Sequence, residues 1–180
     1  KGTVGDNLKL PFRTLEDNPR KKKIVFDALR LAELPLPADG DIESAVHSIV
    51  RKALKVVGLP EAKLGQIGVS GGERTRAVVA RAVVRMYLII AAKQRSPIMV
   101  ADEVTSNLDP ETKREMMEGL VQETRRLGVT FVFTSHDEII IPGEVIGLVL
   151  GPVAENAFSI KAVGSVELLR KLDSTYRLIY

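Results

Sequence analysis

The chain has 180 residues, 45% hydrophobic and 27% charged, the length and composition of one ordinary globular domain able to bury a core. Lys and Arg number 26 against 23 acids, a net charge of +3, too small an excess to argue for a nucleic-acid partner. With no cysteine, the sequence excludes a disulfide framework and a thiolate metal site.

The first residues, K-G-T-V-G-D-N-L-K-L, hold no long apolar stretch and so no secretory signal. The first third reads as helical. Asn18-Pro19 offers an N-cap with Pro at the first helical position. Apolar residues then recur at Ile24, Val25, Ala28, Leu29, Leu31 and Ala32, and Pro35 and Pro37 stop the helix. Asp41 caps a second helix, whose stripe is Ile42, Ala45, Val46, Ile49, Val50, Leu54 and Val57. Gly58 and Pro60 end it. The spacing then predicts a long helix over 70–93.

The apolar stretch 77–92 is interrupted by Arg81 and Arg85. It falls short of the ~20 residues that span a bilayer. It reads as a buried helix, and any membrane association has to come through a partner. Pro97 introduces a short buried strand over 98–101, closed by two acids. Asp109-Pro110 caps a helix running to about 127, which Gly128 ends, and 129–134 is a second apolar strand. A third strand over 145–150 pairs with 157–163 as a hairpin, and 168–172 suggests a final short helix. Strand and helix in alternation point to an α/β core with a largely parallel sheet, and the helical first third to a separate subdomain.

Four short segments carry chemistry. In Val69-Ser70-Gly71-Gly72-Glu73, Ser70 and Glu73 have the spacing of a capping box. The two glycines leave the partly positive helix start open to a phosphate. A plainly capped helix accounts for the same residues. Ile98-Met99-Val100-Ala101-Asp102-Glu103 puts two carboxylates at the tip of a strand, the end at which open α/β sheets bind ligands. Asp102 suits Mg²⁺, usually through water, and Glu103 suits the orientation or deprotonation of an attacking water. Two solvated acids are the plainer alternative. Ser106-Asn107-Leu108-Asp109 ends in a good helix cap. Phe131-Val132-Phe133-Thr134-Ser135-His136-Asp137 delivers a histidine to the same sheet edge, where a neutral imidazole can donate to a phosphate oxygen. His47 lies in a plain helical pattern and takes no role. Arg74, Arg81 and Arg85 fall near one helical face; Arg74 is within reach of a phosphate, although surface ion pairing is their ordinary use.

The order of these segments, from 68 to 137, resembles the ATP-binding cassette (ABC) superfamily: signature, Walker B, D-loop and switch histidine. Gly2-Thr3-Val4 and Asp6-Asn7-Leu8 look like the stretch after the Q-loop in transporter members, and 143–169 like the hairpin and short helix after the switch histidine. The resemblance thus covers nearly the whole chain. It implies an α/β fold, a partial P-loop NTPase core of the ABC type with a mostly parallel sheet plus an α-helical subdomain. Residues 1–68 would be the helical subdomain, and 69–180 the signature helix and C-terminal half of the core.

The resemblance also implies roles. Ser70, Gly71 and Gly72, with Glu73 beside them, contact the γ-phosphate of ATP held by an opposite subunit. Asp102 supports Mg²⁺ and Glu103 polarises water. Ser106 and Asp109 form the D-loop at the subunit interface, and His136 is the switch residue. The implied partners are a second nucleotide-binding subunit, alike or different, and a transmembrane permease that holds the protein at the cytoplasmic side of a membrane. Nucleic acid is not among them.

The sequence departs from the family pattern in places. No G-x-x-x-x-G-K-[ST] occurs in the 180 residues, so the phosphate-cradling loop and its lysine are missing, and the Q-loop glutamine is not visible. The chain therefore reads as a fragment, inactive by itself. Val104 stands where a proline commonly follows the acid pair. The helix after Ser70 is longer than in most transporter members by roughly two turns. A soluble cassette ATPase acting on DNA or chromosomes shares the Glu73 ending, the longer helix and Asn107, but no heptad seam for its coiled coil appears. A cassette fragment that only pairs with another protein is the non-enzymatic alternative.

Overall fold

A computed structural model describes residues 2–38, 40–93, 95, 97–134, 146–154 and 157–165. It divides into two units, Lys1–Thr134 and Ser135–Tyr180.

The first unit opens with α1 (Val4–Arg13), a helix whose bounds the periodicity above does not mark. Its signal is T-x-x-D: the Thr3 hydroxyl accepts from the Asp6 N–H at 3.1 Å, and the Asp6 carboxylate accepts from the Thr3 N–H at 2.8 Å. The pairing holds the Asp6 carboxyl below its usual range. The N–H groups of Val4 and Gly5 donate to the carbonyls of Gln66 and Leu64, both at 2.9 Å, so the start of α1 is stitched to the loop that leads into the signature. Val4, Leu8 and Phe12 recur every four residues and are buried.

Helix α2 (Lys21–Leu31) starts later than expected. Asn18 does not cap it; its side-chain oxygen accepts from the Arg20 N–H at 2.9 Å. Bonding its own chain two residues on makes a local turn, which carries Pro19 outside the helix. Helix α3 (Ile42–Val56) is capped as expected, Asp41 accepting from the Ser44 N–H at 2.8 Å. It ends at Gly58, with φ +64, where the N–H groups of Gly58 and Leu59 return to the carbonyls of Lys55 and Leu54.

Helix α4 (Gly71–Lys93) spans 23 residues and buries Val79, Ala80, Val83, Val84, Met86, Tyr87 and Leu88. Then β1 (Ile98–Asp102), α5 (Pro110–Arg126) and β2 (Thr130–Thr134) form a βαβ unit, with β1 and β2 parallel and in register from Ile98 opposite Thr130 to Asp102 opposite Thr134. Asp109 caps α5 by accepting from the Thr112 N–H at 3.0 Å. Gly128, with φ +65, closes it as Gly58 closes α3.

The expectation of a buried β1 is corrected. Ala101 is buried, but Ile98 and Val100 are 68% and 71% exposed, and Val132, the register partner of Val100, is 45% exposed. Successive strand residues point to opposite faces. These three therefore share a face that no other described element of this unit covers. On the other face of β2, Phe131 and Phe133 stack with centroids 5.4 Å apart.

Helix α5 lies close against α3. A Cβ on Gly119 would come within 2.0 Å of the Val56 carbonyl oxygen, so only glycine allows this approach. Met116, Met117 and Leu120 are fully buried beside it.

In the second unit, β3 (Ile146–Ala154) and β4 (Ala157–Ser165) pair antiparallel. The hairpin is the one expected, with both strands running further than the sequence suggested. The expected helix over 168–172 lies outside the described residues. Among the described residues no helix is long and apolar enough to cross a membrane.

Candidate functional site

The start of α4 forms the capping box its sequence suggests. The Ser70 hydroxyl accepts from the Glu73 N–H at 3.2 Å, and the Glu73 carboxylate accepts from the Ser70 N–H at 2.9 Å. The other Glu73 oxygen lies 2.8 Å from the Lys63 ammonium, a partner no sequence spacing indicated. The lysine first, and then the Ser70 N–H, lower the Glu73 carboxyl to about 2. Glu73 is thus ionised and engaged on both oxygens, which suits it to holding the helix start. The first N–H groups of a helix have no partner within it. Space at Gly71 is open, with nothing within 4 Å of where a Cβ would stand. An anion can therefore approach the backbone at Gly71 closely.

Gly72 faces the other way. A Cβ there would meet Leu108 Cδ2 at 3.0 Å and the Asn107 carbonyl at 3.2 Å. The signature start and the S-N-L-D turn therefore lie in contact within this chain. That turn is built by backbone bonds from the Ser106 N–H to the Glu103 carbonyl and from the Leu108 N–H to the Thr105 carbonyl, both 3.1 Å, over a buried Thr105. The Asn107 amide donates to the Ser106 hydroxyl at 3.4 Å. The Asp109 carboxyl, held below its usual range first by the Thr112 backbone N–H, is occupied with capping α5.

At the sheet tip, parallel pairing sets Asp102 opposite Thr134. The Thr134 hydroxyl donates to Asp102 Oδ1 and accepts from the Glu103 N–H at 3.1 Å. Thr134 therefore holds the Asp102 carboxylate and the Glu103 backbone, a role that reading F-V-F-T-S-H-D for its histidine overlooks. Glu103 has φ +46, an uncommon conformation for a residue with a side chain, which turns the chain sharply off the strand. Both acids are exposed. Among the described residues, no three His, Cys, Asp or Glu cluster as a metal cage. His136 lies outside the described residues. Arg74 and Arg81 line a groove of about 370 Å³ with Val4, Ile67, Val69 and Val78.

No protein-family model matches the chain. Individual proteins do. It is 34% identical to the cell division ATP-binding protein FtsE of Mycobacterium tuberculosis over 132 residues, 72% of the chain and 49% of that protein. It is 30% identical to the methionine import ATP-binding protein MetN of Clostridioides difficile over 164 residues, 88% of the chain and 46% of that protein. It is 33% identical to the lipoprotein-releasing system ATP-binding protein LolD of Alcanivorax borkumensis over 113 residues, 62% of the chain and 46% of that protein. The chain thus spans about half the length of these relatives, or less. The names of these relatives have ATP binding in common, and this chain carries the succession of motifs set out above: it belongs to the ABC ATPases.

Proposed function

We propose that the chain is part of the nucleotide-binding subunit of an ABC transporter, and that this subunit binds and hydrolyses ATP sandwiched between two such subunits to drive a membrane permease. The observation that carries the reading is the strand tip, where Thr134 bonds the Asp102 carboxylate and the Glu103 backbone N–H at the carboxyl end of a parallel βαβ unit.

Asp102 has hard oxygen donors, one of them bonded by Thr134, and stands exposed. That suits Mg²⁺, which keeps much of its water and takes few protein ligands. The cation, when bound, neutralises charge on the phosphates. Glu103 orients and polarises the attacking water. The open start of α4 supplies Ser70, Gly71 and Gly72 to the γ-phosphate of ATP on the opposite subunit. Glu73 contributes by holding that helix start, its charge already balanced by Lys63. Ser106 and Asp109 lie at the subunit interface, and His136 contacts the γ-phosphate.

Residues 1–68 act as the helical subdomain facing the permease, and 69–180 as the signature helix and the C-terminal half of the core. The subunit sits at the cytoplasmic side of the membrane through that permease. The 180 residues alone do not hydrolyse ATP, because no G-x-x-x-x-G-K-[ST] is present to cradle its phosphates.

The test compares ATP binding and hydrolysis by the 180 residues with those of a chain extended upstream by about a hundred residues, an ordinary domain's length. Activity in the extended chain alone supports the reading. Inactivity of both overturns it.

A further inference from the structure

Tyr87 is fully buried in α4, and its hydroxyl donates to Glu123 Oε1 on α5 at 2.6 Å. Glu123 is itself only 6% exposed. Burying a carboxylate is costly unless every oxygen is engaged, and here both are. Arg126 bonds Oε1, and Lys52 of α3 lies 3.7 Å from Oε2. Arg126 also donates to the Leu31 carbonyl at 2.5 Å and pairs with Glu33 at 3.2 Å, at the end of α2. One buried carboxylate thus ties α4 to α5, to α3 and to the end of α2. Nothing in the proposed chemistry uses it.

Its position gives it a use. Helices α4 and α5 begin at the two functional turns, and Gly72 packs against Leu108 where they do. From Gly72 to Tyr87 is 15 residues of α4, roughly 22 Å of helix, and from Leu108, two residues before α5, to Glu123 is also 15. The two contacts join α4 to the turn before α5 and to α5 itself at matched sequence intervals. An apolar contact resists separation but permits sliding, whereas a hydrogen bond from a phenol to a buried carboxylate is directional and fixes axial register. Tyr87 stands in the last two turns of α4.

We propose that Tyr87 and Glu123 are positioning residues: their hydrogen bond fixes the register of α4 against α5, and so sets where the signature glycines sit relative to the D-loop. The proposal rests on the ATPase reading above for its consequence, but not for its geometry. With the bond broken, α4 keeps its packing on α1, α2 and α3 but loses its directional tie to α5, and the contact at Gly72 loosens although neither residue touches nucleotide.

The test uses the protein encoded by the whole gene. Tyr87→Phe deletes one buried oxygen and leaves Glu123 its Arg126 and Lys52 partners. Amide exchange is followed over 73–77, over 110–115 and, for reference, over 46–54 of α3. Loss of a hydrogen bond to a charged group predicts about tenfold faster exchange in the first two segments, unchanged exchange in α3, and kcat reduced several-fold with KM within about twofold. Glu123→Gln keeps an acceptor for Tyr87 but leaves Arg126 and Lys52 without their anion, so it is expected to lower overall stability more than Tyr87→Phe while leaving the 73–77 exchange, relative to 46–54, within about threefold of the parent.

Faster exchange throughout α3 as well overturns the proposal, because the bond then serves global stability. No change in either turn overturns it too, as does local loosening with unchanged kcat. If the parent protein hydrolyses no ATP, the ATPase reading fails, and the exchange pattern alone decides whether the bond sets the register.

Discussion

Thr134 and Asp102, register partners at the ends of β2 and β1, are joined by a hydrogen bond in which the threonine hydroxyl donates to Asp102 Oδ1. The same hydroxyl accepts from the Glu103 N–H, so one side chain holds both the Asp102 carboxylate and the backbone that carries Glu103. Thr134→Val preserves shape and strand propensity and removes both bonds. We expect a cost of about 1 kcal/mol in denaturant unfolding. The Mg²⁺ concentration that half-saturates ATP hydrolysis should rise several-fold in the extended protein, because Asp102 then rotates freely. An unaltered Mg²⁺ dependence would remove Thr134 from the site.

Glu103 leaves the strand at φ +46, which turns it away from the line of Asp102. Glu103→Gln keeps the size and the backbone bond and deletes the charge. In the extended protein ATP binding should be retained while hydrolysis slows about a hundredfold or more, the usual scale of a lost general base. Single-turnover hydrolysis measured beside nucleotide binding separates the two. Unchanged turnover would exclude Glu103 from the mechanism.

Glu73 makes stability depend on pH in a defined direction. Lys63 and the Ser70 N–H lower its carboxyl from 4.5 to about 2. A lowered carboxyl contributes stability that is fully present above its ordinary value and lost as pH falls through the lowered one. The melting temperature of the parent should therefore exceed that of Glu73→Gln by a constant margin at neutral pH. The margin should shrink between about 4.5 and about 2. A margin that persists at the acid end would show that charge is not what Glu73 contributes.

What could be read from the chain beforehand was local. Asp41, Ser70, Asp109, Gly58 and Gly128 mark helix ends through bonds to residues three to five positions away, and such bonds are written in short spacings. The turns at the starts of α4 and α5 were legible for the same reason. Asn18 failed as a cap because a side chain that bonds its own backbone can do so in more than one register. Lys63, Thr134 and the Tyr87–Glu123 pair were invisible because their partners are 10 to 36 residues away, and only the folded chain joins them. The apolar letters of β1 signal burial by composition, yet burial depends on what lies on each face.

Gly119 illustrates a constraint of that kind. Nothing in its helical surroundings asks for glycine, but the Val56 carbonyl oxygen stands 2.0 Å from where a Cβ would be. Backbone cannot yield as the end of a flexible side chain does, so Gly119→Ala must push α5 away from α3. The gain in helix propensity, about 1 kcal/mol, is outweighed by overpacking of about 1–3 kcal/mol or more. We expect net destabilisation in chemical unfolding. A stabilised variant would show that the two helices separate at little cost.

The uncovered face of the β1–β2 pair leads to a last expectation. Ile98, Val100 and Val132, exposed at 68%, 71% and 45%, lie together by register on a parallel pair of strands, and parallel sheets are ordinarily covered on both faces. A contiguous apolar face on a short sheet with open edges associates with other chains. The 180 residues alone should therefore aggregate or fold only marginally. Replacing the three by threonine, which keeps the β-branch that strands favour, should raise the yield of monomer and delay light scattering on heating. The same replacements in the extended protein should lower stability instead, if the added residues cover that face. A sharp, cooperative melt of the unaltered 180-residue monomer would show that the face is tolerated in water as it stands.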